Sequence, residues 1–222
     1  MKMQNQLFPG FQKSKVEVIN EKGLLKSIDK KGKGNKPSFG SRVSVLYKGW
    51  MSNGQYFDGN QNRKHPYRFK LGTNTVIPGF QMATASMQLG EKARFYFPSE
   101  IAYGGKGFAS KIPPNTDLVF SIQLLSALPP LSMNSHLIKN PCCAAGFLTE
   151  KLYLAIGKVN AILYHDTLQL GKWIDTGTFT VSDVFEDFLK TGEIEPAEFL
   201  NFIDSFIDAE ILQIENNERK AR

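Results

Sequence analysis

Along residues 16–125 apolar and polar positions alternate in short runs, the period of strands that bury one face. Val16-Glu-Val-Ile19 and Gly23-Leu-Leu-Lys-Ser-Ile28 begin the series. Arg42-Val-Ser-Val-Leu-Tyr-Lys-Gly49, Tyr67-Arg-Phe-Lys-Leu71, Lys92-Ala-Arg-Phe-Tyr-Phe97 and Asp117-Leu-Val-Phe-Ser-Ile-Gln-Leu-Leu125 continue it. Asn53-Gly54 predicts a tight hairpin turn. Phe80, Ala83, Ala85, Met87 and Leu89 fit one short helix over 80–89, and Ile101–Pro114 is too rich in Gly and Pro to be regular. The pattern therefore predicts an α+β domain over 16–128, a twisted antiparallel β-sheet wrapping one short α-helix, behind a polar tail at 1–15.

After residue 128 the pattern changes. Residues 129–140, with Pro129, Pro130 and Asn140, read as a linker. Beyond it Leu148, Leu152, Ala155, Ile156, Val159, Ile162 and Leu163 recur at three and four, as do Phe199, Leu200, Ile203, Phe206, Ile207, Ile211 and Ile214. This predicts a small all-α region over 141–222, with one helix around 147–164 and another at the end. Thr180 with Asp183 forms a capping-box-like pair, and Pro196 suits a first helical turn. Thr176–Val184 and Thr191–Phe199 echo each other at a spacing of 15. The second copy is no calcium loop, since Leu189 and Thr191 occupy positions that need oxygen ligands. Asp204, Asp208, Glu210 and Glu215 would give the last helix an acidic outer face, and Trp173 would anchor the helical half.

Charge divides the same way. Residues 1–130 hold 19 Lys and Arg against 7 Asp and Glu, an excess of 12; residues 131–222 hold 8 against 14, a deficit of 6. Opposite signs suggest two units with different partners. The Lys-rich stretch Lys30, Lys31, Lys33 and Lys36, with Lys26, reads as a solvated loop, and nucleic acid is not an expected partner. The 222 residues contain no apolar run of about 18, so no membrane span is expected. The start, Met1–Gly10, lacks an apolar core for a secretory signal. The two cysteines, Cys142 and Cys143, are adjacent and give no disulfide framework. His65, His136 and His165 are far apart. The expected chemistry uses no metal and no cofactor, in a reducing compartment, the cytoplasm or alternatively the nucleus.

Within residues 40–128 several motifs follow in order: Tyr47-Lys-Gly49, Gly54-Gln-Tyr-Phe-Asp58, Phe69-Lys-Leu-Gly72, Val76-Ile-Pro-Gly-Phe80, Ala102-Tyr-Gly104, Ile112-Pro-Pro114 and Leu118-Val-Phe120. In spacing and order this resembles the FKBP (immunophilin) family of peptidyl-prolyl cis-trans isomerases, over residues 23–126. The resemblance implies an apolar pocket between sheet and helix, with Tyr47, Phe57, Asp58, Ile77, Tyr103 and Phe120 as catalytic residues. Tyr67, Val76, Phe80, Phe108 and Ile112 would complete the substrate site, and Arg63 would sit behind Asp58 and Tyr47 as charge partner. Tyr103 and the Ile77 amide would donate to ligand carbonyls. It also implies proline-containing segments of client proteins and macrolides such as rapamycin as ligands. Phe80 stands where the family usually has tryptophan, Lys111 replaces an apolar rim residue, and Thr75 replaces a frequent acidic one. These departures leave an alternative, a weakly active or inactive module serving as structural subunit of a larger assembly. Residues 141–222 lie outside the resemblance and are expected to dock a protein partner.

Overall fold

The structure, a computed structural model, describes residues 16–132, 134–139, 143–148, 151–156, 159–163, 179–189, 195–208 and 212–214. The 1–15 tail, Trp173, Ile211, and residues 176–178 and 191–194 of the echo lie outside the described residues. The chain divides into two compact units, residues 1–130 and 131–222.

In the first unit the alternating segments are strands: β1 (Val16–Val18), β2 (Leu25–Lys30), β3 (Arg42–Met51), β4 (Tyr56–Asn60), β5 (Tyr67–Lys70), β6 (Lys92–Phe97) and β7 (Leu118–Leu128). Among the described residues they form a seven-stranded antiparallel sheet in the order β1-β2-β6-β7-β3-β4, with β5 paired to the first half of β3. The hairpin at Asn53-Gly54 joins β3 to β4: Gly54 takes φ +87°, a left-handed value open to glycine, and the Asn53 side chain accepts from the Gln55 amide. β4 itself has no clean alternation and emerges only as the partner of this turn.

Helix α1 (Pro78–Ala85) crosses the inner face of the sheet. It begins two residues before the expected Phe80, because Pro78 suits the first turn, where no amide partner is needed. It ends at Ala85 rather than Leu89. Ser86 Oγ donates back to the Ala83 carbonyl, and the Ser86 carbonyl accepts 2.8 Å from Lys26 Nζ. Gly79 allows the close approach, since a Cβ there would lie 2.9 Å from the Ile101 carbonyl oxygen and 3.0 Å from the Phe97 ring. Phe80, Ala83, Met87, Phe95, Phe97, Phe120, Ile122 and Leu124 form the buried core between helix and sheet.

Lys26 does not belong to the solvated lysine loop. It points into the core, 3% exposed, pairs with Glu91 at 2.8 Å, and lies 5.8 Å above the Phe95 ring. Glu91 in turn accepts from the Gln88 amide. A buried cation persists only with such partners.

The second unit departs further from expectation. His136–Lys139, inside the stretch read as linker, is strand β8. The stretch expected as a helix at 147–164 is instead three antiparallel strands, β9 (Cys143–Leu148), β10 (Lys151–Ile156) and β11 (Val159–Leu163), paired in the order β11-β10-β9. The region is therefore not all-α. A second sheet places β8 between β12 (Phe179–Thr180) and β13 (Leu212–Ile214). The helices announced by Thr180 and Pro196 are present, α2 (Val181–Leu189) and α3 (Pro196–Asp208). The capping box forms: Asp183 accepts from the Thr180 amide at 2.9 Å, and Thr180 Oγ1 accepts from the Asp183 amide at 3.1 Å. Phe199, Ile203 and Phe206 are buried, with Phe185 and Phe199 rings 5.0 Å apart. Asp204, expected on the acidic outer face, is buried as well, so the covered surface of α3 is wider than its apolar stripe.

Candidate active site

The inner face of the sheet gathers an aromatic cup around Phe120. β7 places Phe120 in the centre, 4% exposed, with the Phe57 ring of β4 at 5.6 Å and perpendicular, the Phe80 ring of α1 at 5.3 Å and the Phe97 ring of β6 at 4.9 Å. Tyr47 on β3 stands edge-on to Phe80 at 5.5 Å and to Tyr67 at 5.6 Å. These are the edge-to-face separations at which ring quadrupoles attract. Phe80 is 4% exposed and forms the floor, while Tyr47, Phe57 and Tyr67 are half-buried at the wall.

Gly49 makes this arrangement possible. It pairs with Phe120 across the ladder, and a Cβ on it would lie 2.7 Å from Phe57 Cζ and 2.8 Å from Phe120 Cε1. The two rings meet over its bare Cα.

At the rim Tyr47 Oη donates to Asp58 Oδ2 at 2.8 Å, and the Gly59 amide donates to Asp58 Oδ1 at 2.8 Å. Burial first, then the bond to the Asp58 carboxylate, pushes the Tyr47 phenol well above its ordinary range. Burial and the same carboxylate raise Tyr67 and Tyr103 too. All three stay protonated at neutral pH. Arg63 does not join Asp58: it is exposed, and its guanidinium donates instead to Gln123 Oε1 at 3.1 Å. The intervening turn explains this, because Asn60 and Asn62 side chains hold the loop by accepting local amides and Arg63 projects toward β7.

The loop of 101–114 supplies the opposite rim. Tyr103 and Phe108 rings lie 4.9 Å apart, and Phe108 is 49% exposed. Ile112, expected to line the pocket, is 1% exposed. It bonds Phe108 in both backbone directions and so fixes the loop from beneath. Lys111 and Thr75 are exposed, and Thr75 Oγ1 lies 2.9 Å from Thr73 Oγ1.

Val76, Ile77, Tyr103 and Phe108 line an open groove of about 850 Å3 together with Thr75, Met82 and Phe39. Phe39, Leu71, Gln81 and Met82 were not singled out by the sequence. A signal for Phe39 exists in Gly72: its φ of +92° and the ring seated where its Cβ would be both require glycine. Gln81 fixes the turn, accepting from the Gly72 amide at 2.6 Å and donating to the Thr73 carbonyl.

Residues 33–125 match the family profile FKBP_C, described as FKBP-type peptidyl-prolyl cis-trans isomerase. FK506-binding protein 1 of Dictyostelium discoideum is 39% identical over 104 residues, 47% of this chain and 97% of that protein. Peptidyl-prolyl cis-trans isomerase FKBP4 of Homo sapiens is 41% identical over 110 residues, 49% of this chain but only 24% of that protein. Among solved structures, the N-terminal domain of FKBP42 from Arabidopsis thaliana matches with a TM-score of 0.50 at 31% identity, covering 55% of this chain and 97% of that domain.

Proposed function

The chain belongs to the FKBP-type peptidyl-prolyl cis-trans isomerase family, and from that premise we propose that it rotates X-Pro bonds of client proteins in the aromatic cup around Phe120. The observation that carries this reading is the joining of that cup to the Tyr47–Asp58 hydrogen bond at its mouth. Rotation about an X-Pro bond makes and breaks no covalent bond; the barrier of about 18–20 kcal/mol is lost amide resonance. A site lowers it by binding the twisted amide better than the planar one. The twisted amide is less dipolar, so an apolar cup of Phe57, Phe80 and Phe120 penalises it less than the planar, better solvated form. The prolyl ring seats on Phe80 and Phe120 against Tyr67 and Val76. Tyr103 Oη and the Ile77 amide, from residues that line one groove, donate to the flanking carbonyls, and the raised phenol of Tyr103 keeps its proton for this. Asp58, held by Tyr47 and the Gly59 amide, faces the rotating carbonyl and orients Tyr47.

Macrolides such as rapamycin occupy the same cup in this reading, which the name of the Dictyostelium relative supports. Residues 141–222 dock a protein partner, and the chain acts in the cytoplasm. The scaffold reading is favoured by the ring of Phe80 in place of a tryptophan floor and by Lys111 in place of an apolar rim residue, and is separated by activity alone. The experiment is a protease-coupled assay on a chromogenic prolyl tetrapeptide, with and without rapamycin. Asp58→Ala and Phe57→Ala should each lower kcat/KM at least tenfold, by much more than they lower folding stability. A wild-type chain with no activity leaves the scaffold role; equal activity in wild type and both variants removes the site assignment.

A further inference from the structure

The face of the sheet turned away from α1 holds a second cavity, of about 370 Å3, built from outward residues of its three central strands. The registers set these residues in rows across β3, β7 and β6. Leu46 lies beside Gln123 and Lys92, Lys48 beside Ser121 and Arg94, and Trp50 beside Val119 and Tyr96. The middle strand is neutral throughout, and cations stand on both sides of it. Lys48 is separated from Arg94 by two strand spacings, about 10 Å. Lys48 and Lys92 are exposed, whereas Leu46 and Val119 are buried and form an apolar floor. Trp50 closes one end, edge-on to the Tyr56 ring at 6.3 Å. Arg63, whose guanidinium reaches Gln123 Oε1, adds a cation at the other end. Arg94 is held by Asp29 at 3.1 Å.

We infer that this groove binds an acidic segment of a partner protein, an extended chain with carboxylates on either side of an apolar residue. In an extended chain laid across the strands, carboxylates two residues before and two after the apolar one share its face, and Glu side chains there reach Lys48 on one side and Lys92 on the other. The apolar residue between them meets the floor of Leu46 and Val119 beside the Trp50 ring. The excess of 12 positive charges over residues 1–130 steers such a segment toward this unit. A nucleic acid strand fits less well, since it needs a row of cations along its backbone and successive stacking platforms, while this groove offers one half-buried indole. The inference does not depend on the isomerase reading, because none of these residues belongs to the aromatic cup.

The test uses the full chain and a fluorescein-labelled EELEE peptide followed by anisotropy, with a KKLKK peptide and a ten-nucleotide oligothymidine as comparisons. EELEE should bind, KKLKK should not, and Lys48→Glu/Lys92→Glu should weaken EELEE at least tenfold while activity on a neutral prolyl peptide stays at wild-type level. Raising ionic strength from about 0.1 M to 1 M, which shortens the Debye length from about 10 Å to about 3 Å, should weaken binding in the same direction. If the charge reversal impairs folding, as read by circular dichroism, Lys48→Gln/Lys92→Gln takes its place with a smaller expected loss. Unchanged EELEE affinity in a folded variant overturns the inference, as does oligothymidine binding more tightly than EELEE. Loss of isomerase activity in the wild type would leave this result standing, so the two readings fail separately.

Discussion

Phe120 and Ser121 are neighbours in β7, and their side chains enter opposite environments. Phe120 meets four aromatic rings and is 4% exposed. Ser121 lies between Lys48 and Arg94 on a wet, cationic face. The same alternation sorts the whole sheet. Its inner face carries Tyr47, Phe95, Phe97 and Phe120, with Lys26 as the inward cation among the described residues, matched by Glu91. Its outer face carries Lys48, Lys92 and Arg94 around a neutral strip. A strand's period of two thus lets three strands build two unlike surfaces back to back, one aromatic and the other cationic. The inner surface gains its geometry from close packing and is intolerant of change in volume; the outer one depends on charge and tolerates change in shape.

The sharpest test of that contrast is a pair of adjacent substitutions. Phe120→Ala should lower unfolding free energy by about 3–5 kcal/mol and remove isomerase activity, whereas Ser121→Ala should stay within about 0.5 kcal/mol; urea denaturation measures both. Similar values for the two would dissolve the distinction between the faces. The next largest effect concerns the cation on the wrong side. Glu91→Gln leaves Lys26 charged without its counter-ion in the core and should cost about 3 kcal/mol. The double change Lys26→Met/Glu91→Leu should recover most of it, and a double variant as unstable as the single one would mean the pair contributes specific stability.

Gly49→Ala should cost about 1–3 kcal/mol by overpacking, because the new methyl meets the Phe57 and Phe120 rings rather than a flexible chain end. Activity should fall with it, and a fully active Gly49→Ala chain would show that the two rings move freely. The smallest effect is expected at the rim. Tyr47→Phe removes one hydrogen bond to Asp58, about 1 kcal/mol, and should lower kcat/KM a few-fold. The pH dependence has a definite sign. The folded Tyr47 phenol lies above its unfolded value of 10.0, so its contribution is complete below pH 10 and is lost as pH rises beyond that. Tyr47→Phe should flatten the decline in stability above pH 10 in alkaline denaturation; an unaltered slope would place the effect on other phenols.

Much of the first unit could be read in the chain because its strands bury one face each, so β3, β6 and β7 declare themselves by alternation. The cup was legible for a different reason: Tyr47, Phe57, Asp58 and Phe80 sit in short motifs whose spacing matches a known family. Arg63 was misplaced because a spacing fixes where a residue leaves the backbone, and the Asn60–Asn62 loop then decides where its long side chain goes. The outer groove left no trace in the sequence, since Lys48, Lys92 and Trp50 look like ordinary solvent-side residues until the register brings them together. The second unit misled for a geometric reason. Leu148, Leu152, Ile156 and Leu163 are four or seven apart, and a spacing of four satisfies a helical face and one face of a strand equally. The pairing Ile156↔Val159 shows which was chosen, and Gly157-Lys158 between the two apolar runs was the turn signal to weigh against the helix.

The burial of Lys26 makes it a chemical clock for the fold. Lys30, Lys31, Lys33 and Lys36 stand in solvent a few residues away, so acylating reagents and trypsin reach them in the native protein. Lys26 reacts only when the core between β2, β6 and the end of α1 opens, since its ammonium is held by Glu91 and the Ser86 carbonyl. Within one tryptic map the loop lysines report the concentration of reagent and Lys26 reports how often the whole unit comes apart, so a ligand seated in the aromatic cup would register as a slower reaction at a residue it never touches.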